Sequence, residues 1–468
     1  MTRRTKIVAT LGPASRDEVV LERMIAAGAD VVRINLAHGE LREHAQTIDR
    51  VRAVSDGLGV PVGVMIDLPG PKLRLGDLPG PLELSRDEHV FMGAGTALPL
   101  GHPELLDHLR AGQRVLLDDG AIALVVLGVE SPGTSASRVE LRVVNGGIVT
   151  SRKGVNLPDT ELLVPAVTVA DEEFLAFGLA HDVDFVAQSF VRRAADVVRL
   201  KELIAAGGGD QMVVAKIEKR EALAEIGDIV EVADAIMVAR GDLGVEIPPA
   251  EVPIWQKRII RAAVRAGKPV ITATQMLQSM MVSPRPTRAE VSDVANAIYD
   301  STCAVMLSGE TAAGAYPVES VATMARIAET VEPDIEHGGR APQERELARA
   351  DISGAITYGA CDVARKVGAA AIVTATASGA TARGVAKYRP TQPILAVSPS
   401  ARTMRQLTLT WGVTPVFVGS VGDVDGVVAE GTARALAAGI VCPGHIIVVT
   451  AGVHVRPGTA SLIQVRVV

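Results

Sequence analysis

The sequence is poor in aromatic residues, which make up 3% of its 468 positions. That scarcity removes the stacking platforms on which bases are held and leaves small aliphatic side chains to build the core. Cysteine is scarce as well. Cys303, Cys361 and Cys442 stand far apart with no C-x-x-C pair, which argues against a disulfide framework or a structural zinc site and points to a reducing compartment. The net charge of -7 comes with no basic stripe, so a grip on nucleic-acid phosphates is not expected. No segment approaches the roughly 20 apolar residues needed to cross a bilayer. The apolar run behind the basic start Met1-Thr2-Arg3-Arg4-Thr5-Lys6 breaks at Gly12-Pro13, too early for a signal-peptide core. A cytoplasmic protein that engages neither membrane nor nucleic acid is the expectation.

Several site signatures are also missing. There is no G-x-x-x-x-G-K-[ST] loop and no G-x-G-x-x-G fingerprint, so a phosphate would have to be held by side chains, metal and a covering segment. Ser308 does not sit in a G-x-S-x-G elbow, which removes serine hydrolysis, and His38 has no H-x-x-x-H partner, which argues against zinc.

What is present is ordinary globular material, 48% hydrophobic and 22% charged, long enough for two or three domains. Short apolar runs alternate with helical-period segments. Lys6 to Gly12, Val31 to His38, Pro61 to Leu68, Phe185 to Phe190, Met212 to Glu218, Ala235 to Gly241, Pro269 to Gln275 and Ala304 to Glu310 give eight candidate strands, the number that closes a (β/α)8 TIM barrel. Nearly all turn polar or to glycine at their C-terminal ends, where such barrels build active sites. A doubly wound open sheet is the competing arrangement, and it would not explain polar ends on so many strands.

Between Leu68 and Phe185 the texture changes to short alternating runs split by turn dipeptides, among them Arg114 to Leu117, Ala123 to Val126 and Val139 to Val144. These predict an all-β domain inserted after the third strand, placed as a lid over the barrel mouth, unless it is a passive decoration. A polar linker over Glu332 to Arg349 precedes a second βα series, with strands expected at Ala371 to Thr376, Pro393 to Ser398, Val413 to Val418 and His445 to Gly452. The expected fold class is α/β. The barrel is divided over 1–70 and 157–335, the β lid occupies 71–156, and a C-terminal α/β domain occupies 336–468.

The strand ends carry the candidate chemistry. Lys216 and Glu218 are two apart and so share one strand face, while the run Met237 to Pro248 delivers Arg240, Gly241 and Asp242 to the same edge. Glu218 and Asp242 suit a magnesium ion completed by substrate oxygens; an internal ion pair with Lys216 and Arg240 is the alternative. Lys216 beside such a pair is what phosphoryl transfer requires. Gly241 lets a ligand approach the backbone, and Thr274 adds a hydroxyl at the seventh strand end. Arg33 and Arg74 offer guanidinium forks for phosphate oxygens, or barrel-rim salt bridges.

Taken together, the segments Thr5 to Ser15, Lys153-Gly154-Val155-Asn156-Leu157-Pro158, Lys216-Ile217-Glu218, Met237 to Pro248, Ala273 to Leu277, Pro284 to Ala297 and Leu307 to Ala312 resemble the signatures of the pyruvate kinase family along essentially the whole chain. The resemblance implies phosphoryl transfer from phosphoenolpyruvate to ADP, giving pyruvate and ATP, in a homotetramer. Glu218 and Asp242 would bind Mg2+, or Mn2+ in its place. Lys216 would stabilise the moving phosphoryl group and Arg33 would hold the phosphate. Gly241 and Thr274 would hold the carboxylate, with Thr274 also near the carbon that gains a proton. Asn35, His38 and Arg74 would line the nucleotide side, and Lys153 would reach the ADP phosphates as the lid closes.

Three departures from the family pattern bear on function. Potassium-dependent members pair Asn-Phe-Ser-His with Asp-Thr-Lys-Gly-Pro-Glu, whereas this chain has Asn35-Leu36-Ala37-His38 and Asp67-Leu68-Pro69-Gly70-Pro71-Lys72. Ala37 removes a hydroxyl ligand, and the Lys72 ammonium would stand in for the ion, so potassium is not expected to be required; a merely solvated Lys72 is the alternative. The loop Thr376 to Ala382 lacks the arginine of the family's effector-phosphate loop, which weakens the expectation of regulation by a phosphorylated sugar and leaves a simple turn with Thr381 near a helix cap. Glu43 stands where many relatives carry a tyrosine near the nucleotide. Two other readings share parts of the pattern. A metal-dependent lyase or aldolase acting on pyruvate-like compounds would use Glu218 and Asp242 without needing Arg74, Lys153 or a lid. A catalytically silent metabolite-sensing paralogue would account for Ala37 and Glu43, but not for the retention of Lys216, Glu218, Asp242 and Thr274.

Overall fold

Alternation along the fifth barrel strand, Met212–Ile217, shows how sequence sets the architecture. In the computed structural model, which describes residues 3–100, 103–134, 137–160, 164–337, 351–419, 424–452 and 460–468, Met212 and Val214 join the core inside a closed barrel. Val213, Ala215 and Ile217 join the larger core between barrel and helices. Successive side chains of a strand face opposite ways, so one pattern serves both cores.

The eight strands are Lys6–Leu11, Val31–Asn35, Gly63–Leu68, Phe185–Gln188, Met212–Ile217, Ala235–Ala239, Val270–Ala273 and Ala304–Leu307. They pair in chain order, all parallel, and the barrel closes with Lys6 opposite Ala304. The open-sheet alternative is thereby removed. Several strands stop short of the apolar runs. The sixth ends at Ala239, and Arg240–Glu246 is helical rather than extended; the eighth ends at Leu307, before the helical turn Gly309–Ala312. In both, the polar residues read as strand ends begin the next helix, which leaves them over the mouth.

The insertion is all-β, as its alternating texture implied. Its five-stranded sheet runs in the order Val155–Asn156, Arg114–Leu117, Ile122–Glu130, Arg138–Asn145, His89–Gly93, and Leu82–Leu84 pairs with Gly147–Val149 beside it. The linker expected over 332–349 is in part helix, because Pro317–His337 runs through its start; residues 338–350 lie outside the described residues.

The C-terminal sheet runs in the order Val413–Phe417, Ile394–Ser398, Ala371–Ala375, Ile446–Ala451, Leu462–Val467. Its last strand is antiparallel and was not among the strands expected. The segment after Ala375 is a strand-to-helix turn in which Gly379, at φ 79°, caps the helix Ala380–Ala386 in place of Thr381. This domain closes the amino end of the barrel: Leu409 is fully buried in the inner barrel core, and Lys6 Nζ donates to the Val413 carbonyl at 2.9 Å. Gly63 is required there, since a Cβ would lie 2.7 Å from Thr408 Oγ1. Among the described residues no helix is long and apolar enough to cross a membrane.

Candidate functional site

The inward faces of the strands, followed toward their carboxyl ends, change from apolar to charged in one step. Val31 is followed on its face by Arg33 and Asn35, Met65 by Asp67, Phe185 and Ala187 by Ser189, and Met212 and Val214 by Lys216. The barrel core therefore ends in a polar layer, and these side chains meet in it. Arg33 places Nε 2.7 Å and Nη2 2.6 Å from Asp67 Oδ2, and its Nη1 donates to Thr10 Oγ1 at 3.1 Å. Lys216 Nζ donates to Ser189 Oγ at 2.6 Å and lies 3.3 Å from Asp67 Oδ1 and 3.2 Å from Glu218 Oε2.

Charge and burial set the protonation states. Burial alone would favour a neutral Lys216, but Asp67 and Glu218 reverse this and raise it above the usual lysine range. Asp67 is 2% exposed; burial pushes its carboxyl up, yet Lys216 and Arg33 together hold it below the usual carboxylate range. Glu218 is pushed up, first by burial and further by Asp242, against the pull of Lys216. The layer thus holds a fixed ammonium beside a carboxyl that gains from a second positive charge.

The donor set fits a divalent cation. Glu218 Oε1 accepts from the Phe190 N–H at 2.7 Å, while Oε2 is buried without a hydrogen bond of good geometry although Lys216 is close. The Asp242 carboxylate, in the first turn of the helix Arg240–Glu246, has no hydrogen bond or ion pair among the described residues. Both carboxylates line one cavity of about 440 Å³. No group of three or more His, Cys, Asp or Glu able to hold a metal occurs among the described residues, so an ion here would draw its other ligands from substrate and water, as magnesium usually does.

Arg33, Asn35, His38, Lys72 and Arg74 line that same cavity with Lys216, Glu218 and Asp242. Gly241 and Thr274 line a second cavity of about 1020 Å³ that shares Asp242 with the first. Lys153 lines neither, and its ammonium is held by Asp118 of the inserted domain at 2.8 Å. Arg74, bridged to Gly154 within the same insertion, donates to the Arg152 carbonyl at 3.1 Å. Asn35 Oδ1 accepts from the Ala37 N–H at 3.2 Å. Lys72 is exposed at the cavity edge with no carboxylate in ion-pair reach among the described residues.

Around Thr274 the backbone is unusual. Thr274 and Gln275 have φ of 73° and 54°, a left-handed pair that a β-branched residue rarely joins. The Gly241 N–H donates to Thr274 Oγ1 at 2.7 Å, and that hydroxyl donates to the Ala273 carbonyl at 2.6 Å. Here the Gly241 amide is occupied by Thr274, so it reaches an outside oxygen only if that bond is shared or broken. Arg240 does not pair with Asp242: it donates to Asp293 and to the carbonyls of Ala273 and Thr274.

Sequence reasoning passed over Asp67 and Ser189 as partners of Lys216, along with Asp293 and Glu310. The period-two march of inward residues was the available signal for Asp67 and Ser189. It also passed over Lys219, which is buried in an ion pair with Glu246 at 2.6 Å, and Asn156 of the inserted domain, which donates to that glutamate at 3.4 Å.

A closed parallel barrel with a lysine, a guanidinium and two carboxylates at the carboxyl end of its strands defines a barrel enzyme acting on an anionic substrate. Comparison with known proteins narrows the class. The family model for the pyruvate kinase barrel domain matches residues 2–321, and that for the pyruvate kinase alpha/beta domain matches 354–466. Pyruvate kinase of Clostridium acetobutylicum is 42% identical over 475 residues, covering 99% of each chain. Pyruvate kinase 2 of Synechocystis sp. is 45% identical over 478 residues, covering 100% of this chain and 80% of that one. Pyruvate kinase of Geobacillus stearothermophilus is 42% identical over 477 residues, covering 100% of this chain and 81% of that one. The chain belongs to the pyruvate kinase family and is a phosphotransferase.

Proposed function

We propose that this protein transfers the phosphoryl group of phosphoenolpyruvate to ADP, forming pyruvate and ATP, with a magnesium ion held by Glu218 and Asp242 and with no requirement for potassium. The observation that carries the reading is the Lys216 ammonium, fixed by Asp67, Ser189 and Glu218 in the cavity that both metal-type carboxylates line. The ion would supply positive charge to the substrate's carboxylate and enol oxygen.

The chain's own residues do the rest. Arg33 and Lys216 face the phosphoryl group, and Lys216 keeps its charge near the oxygens as the bond to the enol oxygen breaks and a bond to a terminal ADP oxygen forms. The enolate left behind takes a proton at its methylene carbon, through a water ordered by the Thr274 hydroxyl. Asn35, His38 and Arg74 would receive the ADP phosphates, joined by Lys153 once it exchanges Asp118 for them. Lys72, a cation at the same cavity with no carboxylate in ion-pair reach among the described residues, supports potassium independence. A homotetramer working in the cytoplasm completes the reading.

The test is direct. Purified protein given phosphoenolpyruvate, ADP and magnesium should release pyruvate and ATP in equal amounts and stop when the metal is chelated. No pyruvate under those conditions would remove the proposal and favour a silent paralogue, and pyruvate released from phosphoenolpyruvate without ATP would point to hydrolysis.

A further inference from the structure

Glu310 is 0% exposed and makes no ion pair among the described residues. Its carboxylate is spent on two backbone amides from different loops: Oε1 accepts from the Leu277 N–H at 3.0 Å, and Oε2 accepts from the Ser308 N–H at 2.8 Å. Burying a carboxylate without a cation is costly, so the place where it is spent carries information. Leu277 ends the left-handed turn begun by Thr274 and Gln275, and Ser308 follows the eighth strand. The two loops line the same cavity through Thr274, Gln275 and Ser308.

Only a carboxylate does this job. It presents acceptors on both oxygens and no donor, whereas an amide of the same shape would turn a donor toward one of the two N–H groups. The other side of the turn is held by the opposite charge, with Arg240 donating to the Ala273 carbonyl at 3.2 Å and to the Thr274 carbonyl at 2.9 Å. A cation takes the carbonyls at the start of the turn and an anion takes the amide at its end. Between them, two consecutive non-glycine residues stay left-handed, and Thr274 Oγ1 stays on the Gly241 N–H. Such conformations persist only where the surroundings over-determine them.

We infer that Glu310 is a positioning residue for Thr274, acting on the reaction only through that hydroxyl by fixing the turn 274–277 against the loop that carries Ser308. The inference rests on the reading that Thr274 serves the proton step at the methylene carbon. Glu310→Gln should slow exchange of the pyruvate methyl protons with solvent deuterium on the order of 100-fold, the loss expected when a reacting group is misplaced by about 1 Å. The KM for phosphoenolpyruvate should move far less than the exchange rate, because the phosphate contacts at Arg33 and Lys216 are untouched and only the carboxylate contact beside Thr274 is disturbed.

The decisive comparison is a double-mutant cycle with Thr274→Ala. If Glu310 acts through Thr274 alone, Glu310→Gln adds nothing to Thr274→Ala; a general structural role would multiply the two losses, and that result overturns the inference. If Thr274→Ala leaves the exchange unchanged, the assignment of the proton step itself is wrong and the inference falls with it. Should Glu310→Gln not fold, Glu310→Asp, which keeps both acceptor oxygens, enters the same cycle and must show the same non-additivity.

Discussion

Arg240 and Asp293 face each other as two forks, Nη1 on Oδ1 and Nη2 on Oδ2, both at 2.7 Å. Asp293 belongs to the helix Arg288–Tyr299, so the pair ties the residue that follows the sixth strand to the helix that precedes the eighth. The same guanidinium reaches the carbonyls of Ala273 and Thr274. A charge that stands two positions before Asp242 in sequence is thus a brace for the turn that carries Thr274.

Arg240→Lys keeps the charge and removes the fork, and lysine cannot reach Asp293 and both carbonyls at once. We expect kcat to fall by roughly 10- to 100-fold with the magnesium requirement unchanged, and stability to drop by about 1–3 kcal/mol. Steady-state kinetics with urea unfolding checks both. A rate within twofold of the parent would show that the turn holds itself.

Lys72 should make the enzyme indifferent to the monovalent cation. Rates in sodium-only and potassium buffers of equal ionic strength are expected to agree, while Lys72→Met should lose roughly tenfold in sodium and recover part of it with potassium. A large potassium stimulation of the unmodified enzyme would show that the tethered ammonium does not replace the ion.

His44 gives a pH signature of stability. Its ring is 9% exposed and its Nε2–H donates to the His38 carbonyl at 2.9 Å. Burial lowers its pKa below the usual histidine value, and the bond to His38 only partly offsets this. As pH falls through about 6.5 the unfolded chain therefore takes up a proton that the folded chain refuses, and stability declines until the folded value is passed. Urea midpoints between pH 7.5 and 5 should fall further for the parent than for His44→Gln. Equal slopes would mean that His44 is protonated alike in both states.

These residues also show what a sequence can carry. The barrel was legible because each strand is an apolar run with a polar end, and Lys216 with Glu218 marked the mouth by strand spacing alone. The partners were not legible: Asp67 and Lys216 stand 149 positions apart, and they meet because the third and fifth strands both pair with the fourth, on the far side of the insertion. Glu310 was noticed as part of a strand end, but its function lies in two amides of loops whose meeting no periodicity predicts. The strand Leu462–Val467 escaped because it is a sheet edge with no fully buried residue, so the apolar-run signal that revealed its neighbours is weak. The run after Met237 misled in one respect: its polar residues read as the tip of a strand, although Arg240 already begins a helix.

The account depends most on Lys216. Its ammonium is held by Ser189, Asp67 and Glu218 in the cavity that Asp242 also lines. The most direct measurement is the rate of ATP formation from phosphoenolpyruvate and ADP by Lys216→Met, with magnesium saturating and the KM for phosphoenolpyruvate measured alongside. The account predicts a fall of at least about 1000-fold in kcat, with the KM for phosphoenolpyruvate changed far less than kcat. An undiminished rate would contradict it.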